Sequence, residues 1–241
     1  MTPRLVAVDS NRSLYEIDMN TGFKTQIGTV TSNAGTTGGL AYDELNDILY
    51  LTSTSNDSVY TLDLDTGTAT LIGGYGSSAF VMHGLEYDSS TGKLYGATSH
   101  DGGIYEINKT TGFATLVGTT GLSSFINLGY DSDNDIMYAS NSGADSFYKI
   151  NLMDGSATLI GALNNSTNPN GMAYDYLNDI MFMVDNSTDN LYKIDLNTGN
   201  AEIVGPTGSG NLLGLVYIVP EPTTLSLLVL GSIFFARRRS R

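Results

Sequence analysis

The chain repeats one unit five times, most clearly as Gly39-Leu-Ala-Tyr-Asp43, Ile48-Leu-Tyr50, Val59-Tyr-Thr-Leu-Asp63 and Ala69-Thr-Leu-Ile-Gly73. The glycine that closes each copy lies at positions 28, 73, 118, 161 and 205, so successive copies are 45, 45, 43 and 44 residues apart. A period of this length is typical of repeat architectures and not of separate domains.

Each copy contains four short segments that are rich in β-branched and aromatic residues and are bounded by Gly, Asn, Asp and Ser. The third and fourth segments are joined by turns such as Asp65-Thr-Gly67, where glycine tolerates the positive φ of a tight hairpin. Four antiparallel strands in about 44 residues match one blade of a β-propeller. We therefore predict an all-β fold, a propeller of four-stranded blades over residues 1–218.

The phase of the repeat predicts how the propeller closes. The chain starts on the second strand of a blade, and its repeats end on a lone first strand, Gly214-Leu-Val-Tyr-Ile218. We expect these N- and C-terminal strands to share one blade, which gives five blades and removes an exposed sheet edge. Further repeats upstream of Met1 would add blades instead. The repeats resemble NHL-like and YVTN-like propeller repeats across residues 4–218, and this resemblance implies a fold but no particular activity.

Two tyrosines recur at equivalent positions of the repeat. An aromatic side chain can bury roughly 150–250 Å² between two blades, so both sets are predicted to belong to the core. The sets are Tyr15, Tyr60, Tyr105, Tyr148 and Tyr192, and Tyr42, Tyr87, Tyr130, Tyr174 and Tyr217.

The charge of the chain argues against a nucleic-acid partner. The formal net charge is −14, and four of the 11 basic residues lie in the last five positions. Without those arginines and Glu221, residues 1–219 carry 7 basic and 24 acidic groups, a net charge of −17. Such a surface repels phosphate backbones. Cysteine is absent, which excludes disulfide and thiol chemistry.

The tail, residues 219–241, is unlike the repeats. Val-Pro-Glu-Pro at 219–222 ends the strand pattern, because proline fixes an extended backbone and removes a donor. An uncharged run of 14 residues follows at 223–236, for which we predict a short hydrophobic helix, and then Arg237-Arg-Arg-Ser-Arg241. This run is short for a membrane span, which needs roughly 20 residues. The arginines would stay in the cytoplasm and leave the propeller outside.

The tail resembles a PEP-CTERM sorting signal, with Pro220, Glu221 and Pro222 as the motif and Arg237, Arg238 and Arg239 in the terminal cluster. The resemblance implies export in a Gram-negative bacterium and transient anchoring in the inner membrane. It also implies processing by an exosortase and delivery to the cell surface or an exopolysaccharide matrix. Such proteins need a signal peptide, which the start of this sequence does not contain, so we expect one upstream of Met1. The alternatives are an ordinary tail anchor and a chance apolar terminus.

The loops between the second and third strands are polar and acidic. Asp, Asn and Ser stabilise turns by bonding their own backbone, and this is the simpler interpretation of the loops. The second interpretation is a surface for Ca²⁺ or polyhydroxyl ligands, both of which favour oxygen. No other cofactor is expected. The loops are Asp9-Ser-Asn11, Ser55-Asn-Asp57, His100-Asp101, Asn141-Ser-Gly-Ala-Asp145 and Asp185-Asn-Ser-Thr-Asp189.

Positions at which the five copies differ are the candidates for function. The residue before the innermost strand should ring the mouth of the central channel, and it is Gly38, His83, Ile126, Asn170 and Leu213 in turn. The only two histidines, His83 and His100, fall on one blade, where antiparallel neighbours would bring them close to Asp101. Two histidines and an aspartate can bind a transition metal or exchange protons, whereas solvated loop histidines are the simpler interpretation.

No catalytic motif accompanies the repeats. We therefore expect a non-enzymatic binding or structural module at the cell surface or in a biofilm matrix, with an extracellular polysaccharide or envelope protein as partner. The alternative is a hydrolase or lyase that acts on extracellular carbohydrates or lactones through His83, His100 and Asp101. A cytoplasmic scaffold follows only if Met1 is the true start.

Overall fold

The repeated apolar segments form twenty strands of five to seven residues in a computed structural model that describes residues 2–77 and 80–219. They are arranged in five antiparallel four-stranded sheets, which are the blades of a β-propeller, as the sequence predicts. The predicted helix at 223–236 and the sorting residues of the tail lie outside the described residues.

Each blade is a meander from the channel to the rim, and a short 3₁₀ helix, Ser32–Ala34, joins the first two blades. The strands are β1 (Arg4–Asp9), β2 (Ser13–Ile17) and β3 (Lys24–Thr29); β4 (Thr37–Asp43), β5 (Ile48–Ser53), β6 (Ser58–Leu62) and β7 (Ala69–Gly74); β8 (Met82–Asp88), β9 (Lys93–Thr98), β10 (Gly103–Ile107) and β11 (Ala114–Thr119); β12 (Ile126–Asp131), β13 (Ile136–Asn141), β14 (Ser146–Ile150) and β15 (Ala157–Ala162); β16 (Pro169–Asp175), β17 (Ile180–Asp185), β18 (Asn190–Ile194) and β19 (Ala201–Pro206); and β20 (Leu212–Ile218).

The last strand closes the ring on the first blade. β20 pairs with β1 in antiparallel register, from Arg4 opposite Ile218 to Asp9 opposite Leu212. The innermost strand of the first blade is thus supplied by the C-terminal end of the repeats and its other three strands by the N-terminus. The predicted shared blade is confirmed, and β1 is paired on both sides, with β2 and with β20.

The core consists of five apolar clusters, each between two neighbouring blades. The repeated tyrosines contribute to these clusters as expected. Eight of the ten are buried, whereas Tyr15 and Tyr42 are partly exposed. Because each blade buries both faces against its neighbours, the apolar character on both sides of the strands follows from the ring geometry.

The ring has two faces. We call the face that carries the loops from second to third strands and from one blade to the next the upper face. The lower face carries the loops from first to second strands and from third to fourth strands. The inner strands run from the upper to the lower face, so β20 ends on the lower face and the tail leaves there. Among the described residues, no helix has the length and apolar character needed to cross a membrane.

The glycine that closes each repeat lies against the lower-face turn of the next blade. A Cβ added to this glycine would collide with a backbone carbonyl oxygen in four of the five copies. The colliding pairs are Gly73 with Thr111, Gly118 with Asp154, Gly161 with Thr198, and Gly205 with Thr21. The exception is Gly28, where the nearest atom would be Cδ1 of Leu14, at 3.8 Å.

On the upper face, the carboxylate of Asp185 joins two loops of the last blade. Its Oδ2 accepts hydrogen bonds from Ser166 Oγ at 2.6 Å and from the backbone nitrogens of Thr167 and Asn168 at 2.8 and 2.7 Å. Its Oδ1 accepts one from the nitrogen of Thr188 at 2.7 Å. Burial raises the pKa of this carboxyl, but the hydrogen bonds from Ser166, Asn168 and Thr188 outweigh burial and lower the pKa overall.

We expect Gly73→Ala to lower the free energy of unfolding by about 1–3 kcal/mol, because a methyl group there overpacks the contact between two blades. Gly28→Ala is the matched control, since it makes the same change at the equivalent position, where there is room. It should change the free energy of unfolding by less than about 0.5 kcal/mol. Urea unfolding followed by circular dichroism measures both. Equal losses in the two variants would contradict this account of the repeated glycine.

We expect Asp185→Asn to lower the free energy of unfolding by about 2–4 kcal/mol at neutral pH, because the amide nitrogen presents a donor to groups that are themselves donors. Because the folded pKa is lowered, the contribution of Asp185 is complete above the ordinary aspartate pKa of 3.8 and is lost as the pH falls through the folded value. The difference in the free energy of unfolding between wild type and variant should therefore narrow as the pH falls below 3.8. Asp195→Asn is the control, because this exposed aspartate accepts similar turn bonds from Asn197 and Thr198, and its loss should be smaller. A constant difference between neutral and acid pH would contradict the assignment.

Candidate functional site

The upper end of the channel is closed. All five residues predicted to ring its mouth are buried, and the adjoining cavity between the inner strands has a volume of only about 10 Å³. That is room for about one water molecule. The same small cavity is also lined by apolar residues of the inner strands, namely Leu40, Leu85, Leu128, Met172 and Leu215. A binding role for Gly38, His83, Ile126, Asn170 and Leu213 stays a prediction, and these residues offer a ligand very little space.

His83 lies in a β-bulge of the inner strand, where the register shifts between Met82 and Gly84. Its imidazole packs edge-on against Phe125, with 4.3 Å between ring centroids. Burial lowers the pKa of His83 to about 4, so the ring is neutral at physiological pH. Its Nδ1 is buried and has no hydrogen-bond partner among the described residues.

His100 and Asp101 differ from His83 in their surroundings. Both are exposed, and the Asp101 carboxylate stabilises its own turn by accepting hydrogen bonds from Tyr105 Oη at 2.6 Å and from the Gly103 nitrogen at 2.9 Å. Within the described residues, no hydrogen bond joins His83 to His100 or Asp101. Nor do these residues include a group of three or more His, Cys, Asp or Glu side chains that could hold a metal ion.

The polar loops of the upper face show turn chemistry. Asp9 accepts hydrogen bonds from the nitrogens of Asn11 and Ser13 at 2.9 and 2.8 Å, and Asn141 accepts one from Ala144 at 3.0 Å. Together with Asp185, these contacts follow the pattern in which Asx side chains bond the backbone two to four residues on. The Ca²⁺ interpretation stays a prediction.

The lower end of the channel, in contrast, holds a cavity of about 60 Å³. Its walls carry the tyrosine at the same position of each inner strand, a set that we call the tyrosine ring. Glu44, Glu86, Ser89, Ser132 and Tyr176 complete the polar and aromatic lining. The tyrosine ring consists of Tyr42, Tyr87, Tyr130, Tyr174 and Tyr217.

Glu86 breaks the symmetry of the inner strands at this cavity. The equivalent residues of the other blades are small and apolar, namely Ala41, Gly129, Ala173 and Val216. The Glu86 carboxylate accepts a hydrogen bond from the backbone nitrogen of Tyr87 at 2.9 Å and another from the backbone nitrogen of Tyr130 in the next blade. Burial raises the pKa of Glu86 to about 8, although these two backbone hydrogen bonds act in the opposite direction.

Glu86 is not among the site residues predicted from the sequence. The signal was present, because a comparison of the repeats along the inner strand shows one glutamate among small apolar residues. The position before the strand, at which the five copies also differ, lies at the closed upper end, whereas the position three residues later faces the lower cavity. That the second position faces a cavity follows from the packing of five inner strands around the axis.

Solved structures that resemble the chain share its fold at low sequence identity. A chain of the nidogen/laminin complex superimposes with a TM-score of 0.63 and 14% identity, over 90% of this chain and 99% of that one. A structural genomics protein of unknown function from Bacteroides thetaiotaomicron gives 0.60 and 17%, over 84% of this chain but 64% of that one, so the chain spans less than two thirds of its length. Virginiamycin B lyase from Staphylococcus aureus gives 0.54 and 12%, over 82% and 68%.

These likenesses confirm the predicted β-propeller at the level of the fold. A search of curated proteins found no match. Residues 219–240 match the family model described as the PEP-CTERM protein-sorting motif, which confirms the resemblance inferred from the tail. The motif implies export in a Gram-negative bacterium, a membrane-anchored sorting signal and recognition by an exosortase. The chain is therefore a five-bladed β-propeller that ends in a PEP-CTERM sorting motif.

Proposed function

We propose that this protein is a non-enzymatic module that is displayed at the cell surface or in an exopolysaccharide matrix, where it binds polymer or envelope protein. The observation that carries this proposal is the position of the sorting motif. It begins at residue 219, directly after β20, the strand that closes the ring. Sorting of the tail therefore delivers a complete, closed propeller.

The rim of the propeller supports a binding role. The outermost strand of four blades exposes an apolar side chain at an equivalent position, with 56%, 51%, 60% and 52% of its surface accessible. These side chains are Leu71, Leu116, Leu159 and Ile203. Regularly spaced contacts of this kind favour repeated weak binding to an extended partner, in which several contacts act together.

The alternative, a hydrolase or lyase, depends on His83, His100 and Asp101. The surroundings of these residues favour it less, because His83 is buried and Asp101 already accepts two hydrogen bonds in its turn. The likeness to a lyase at 12% identity concerns the fold alone. Turnover of a polysaccharide or lactone would favour the enzyme.

Glu221→Ala tests delivery, because it removes the single carboxylate of the motif. In a host that contains the exosortase, we expect wild type to lose its arginine cluster and to collect in the extracellular and surface fraction. The variant should keep its C-terminus and stay with the membrane. Thr223→Ala, which follows Pro-Glu-Pro at 220–222 and removes no charge, is the control and should behave as wild type. Cell fractionation and mass spectrometry of the C-terminus measure the outcome, and identical sorting of all three proteins would contradict the proposal.

Co-sedimentation with isolated matrix polysaccharide tests the binding role. We expect the processed protein to sediment with the polymer without releasing new chain ends. A double substitution on the rim, Leu116→Ser with Leu159→Ser, should weaken binding at least several-fold, because it removes two of the four exposed apolar contacts. Cleavage of the polysaccharide that depends on His83 would support the enzymatic alternative instead. Unchanged binding by the rim variant would contradict a role of the rim in binding.

A further inference from the structure

Among residues 2–77 and 80–219, no cationic side chain forms an ion pair with Glu86. The ion pairs between described residues are Arg4 with Glu16, Lys93 with Glu106, and Lys109 with Asp43, and none of them involves Glu86. Two backbone nitrogens donate to its oxygens, which leaves about half of the roughly four acceptor sites of a carboxylate for another partner. Glu86 is partly buried, and a carboxylate that is shielded from water without a counter-ion among the described residues is costly, so its presence among small apolar equivalents needs a reason.

The walls around this carboxylate are aromatic. The tyrosine ring surrounds the cavity, with Tyr176 beside it. A cation that lies against an aromatic face and beside a carboxylate gains from both, and more when it is shielded from water. The molecule contains an example close by. The Lys109 ammonium lies 4.8 Å from the ring centroid of Tyr87 and 3.5 Å from Oδ2 of Asp43.

Size and charge limit the ligand further. A cavity of about 60 Å³ holds roughly four to six water molecules, which suits a small head group and not a whole sugar ring or drug-sized molecule. The formal charge of −14 attracts cations and repels anions. A multivalent metal ion fits poorly, because the described residues hold no cluster of three or more metal-binding side chains.

We propose that the tyrosine-lined cavity at the lower end of the channel binds a small alkylammonium group, with the Glu86 carboxylate as its counter-ion. The alkyl chain that carries the ammonium leaves through the lower face. This site is independent of the sorting and matrix role, and either can fail without the other.

The site should respond to pH, because the ammonium group pairs with the ionised carboxylate. The other titratable groups of the cavity are Glu44 and tyrosines. Tyrosine titrates near pH 10, and burial raises the pKa of Tyr87, Tyr130, Tyr174 and Tyr217 further. Between about pH 6 and pH 9 the ionisation of Glu86, with a pKa of about 8, therefore dominates the change in charge. Affinity should rise roughly 50- to 100-fold across this range.

Calorimetric titration of the full chain in a non-ionic detergent tests the proposal. The probes are n-butylammonium, which stays charged below about pH 10, and 1-butanol, its neutral counterpart of similar length. We expect n-butylammonium to bind at pH 9 and its affinity to fall progressively towards pH 6. Butanol should bind at least tenfold more weakly at pH 9 and show no trend with pH.

Two variants show whether the carboxylate is responsible. Glu86→Gln keeps the shape of the side chain, and Glu86→Ala restores the residue found in two other blades. Both variants should weaken the binding of n-butylammonium at least tenfold at pH 9 and abolish the dependence of its affinity on pH. Glu202→Gln removes the same charge from an exposed position on β19 and should bind as wild type. Thermal unfolding verifies that each variant is folded. Equal binding of the two probes, unchanged binding by folded Glu86 variants, or no binding by wild type at pH 9 would overturn the proposal.

Discussion

The antiparallel pairing of β20 with β1 is the interaction on which the rest of the structure depends. It joins the two ends of the repeat array, so each of the five blades has a neighbour on both sides. Every interblade cluster is then enclosed, and Gly205 of β19 can pack against Thr21 of the first blade. Without this pairing, the first and last blades would expose apolar faces and free inner edges to water.

The sequence alone predicted most of the fold. The strand signals, the period of about 44 residues and the lone segment at 214–218 together predicted four-stranded blades and the shared closing blade. The reason for the repeated glycine could not be predicted, because the atom that excludes a Cβ belongs to the turn of the next blade. Gly73 and Gly28 are equivalent in the sequence and differ only in that non-local contact.

The candidate site was less predictable than the fold. Strand order predicts that His83 lies close to His100 and Asp101. The bulge at His83 and its packing against Phe125 place the imidazole of His83 in the interior. Glu86 is visible in the sequence as an exception among Ala41, Gly129, Ala173 and Val216. Its meaning depends on where five tyrosines converge, and that is a property of the ring and not of one repeat.

The tail continues from the strand that closes the ring, which has a mechanical consequence. β20 runs along the channel from the upper to the lower face, and Val219 follows it directly. A force that pulls on the tail acts along β20, parallel to its partner β1. The hydrogen bonds between the two strands are then loaded in shear and must yield together, whereas a pull across the strand would open them one by one. The pairing that closes the ring is therefore also the one that resists a pull on the tail.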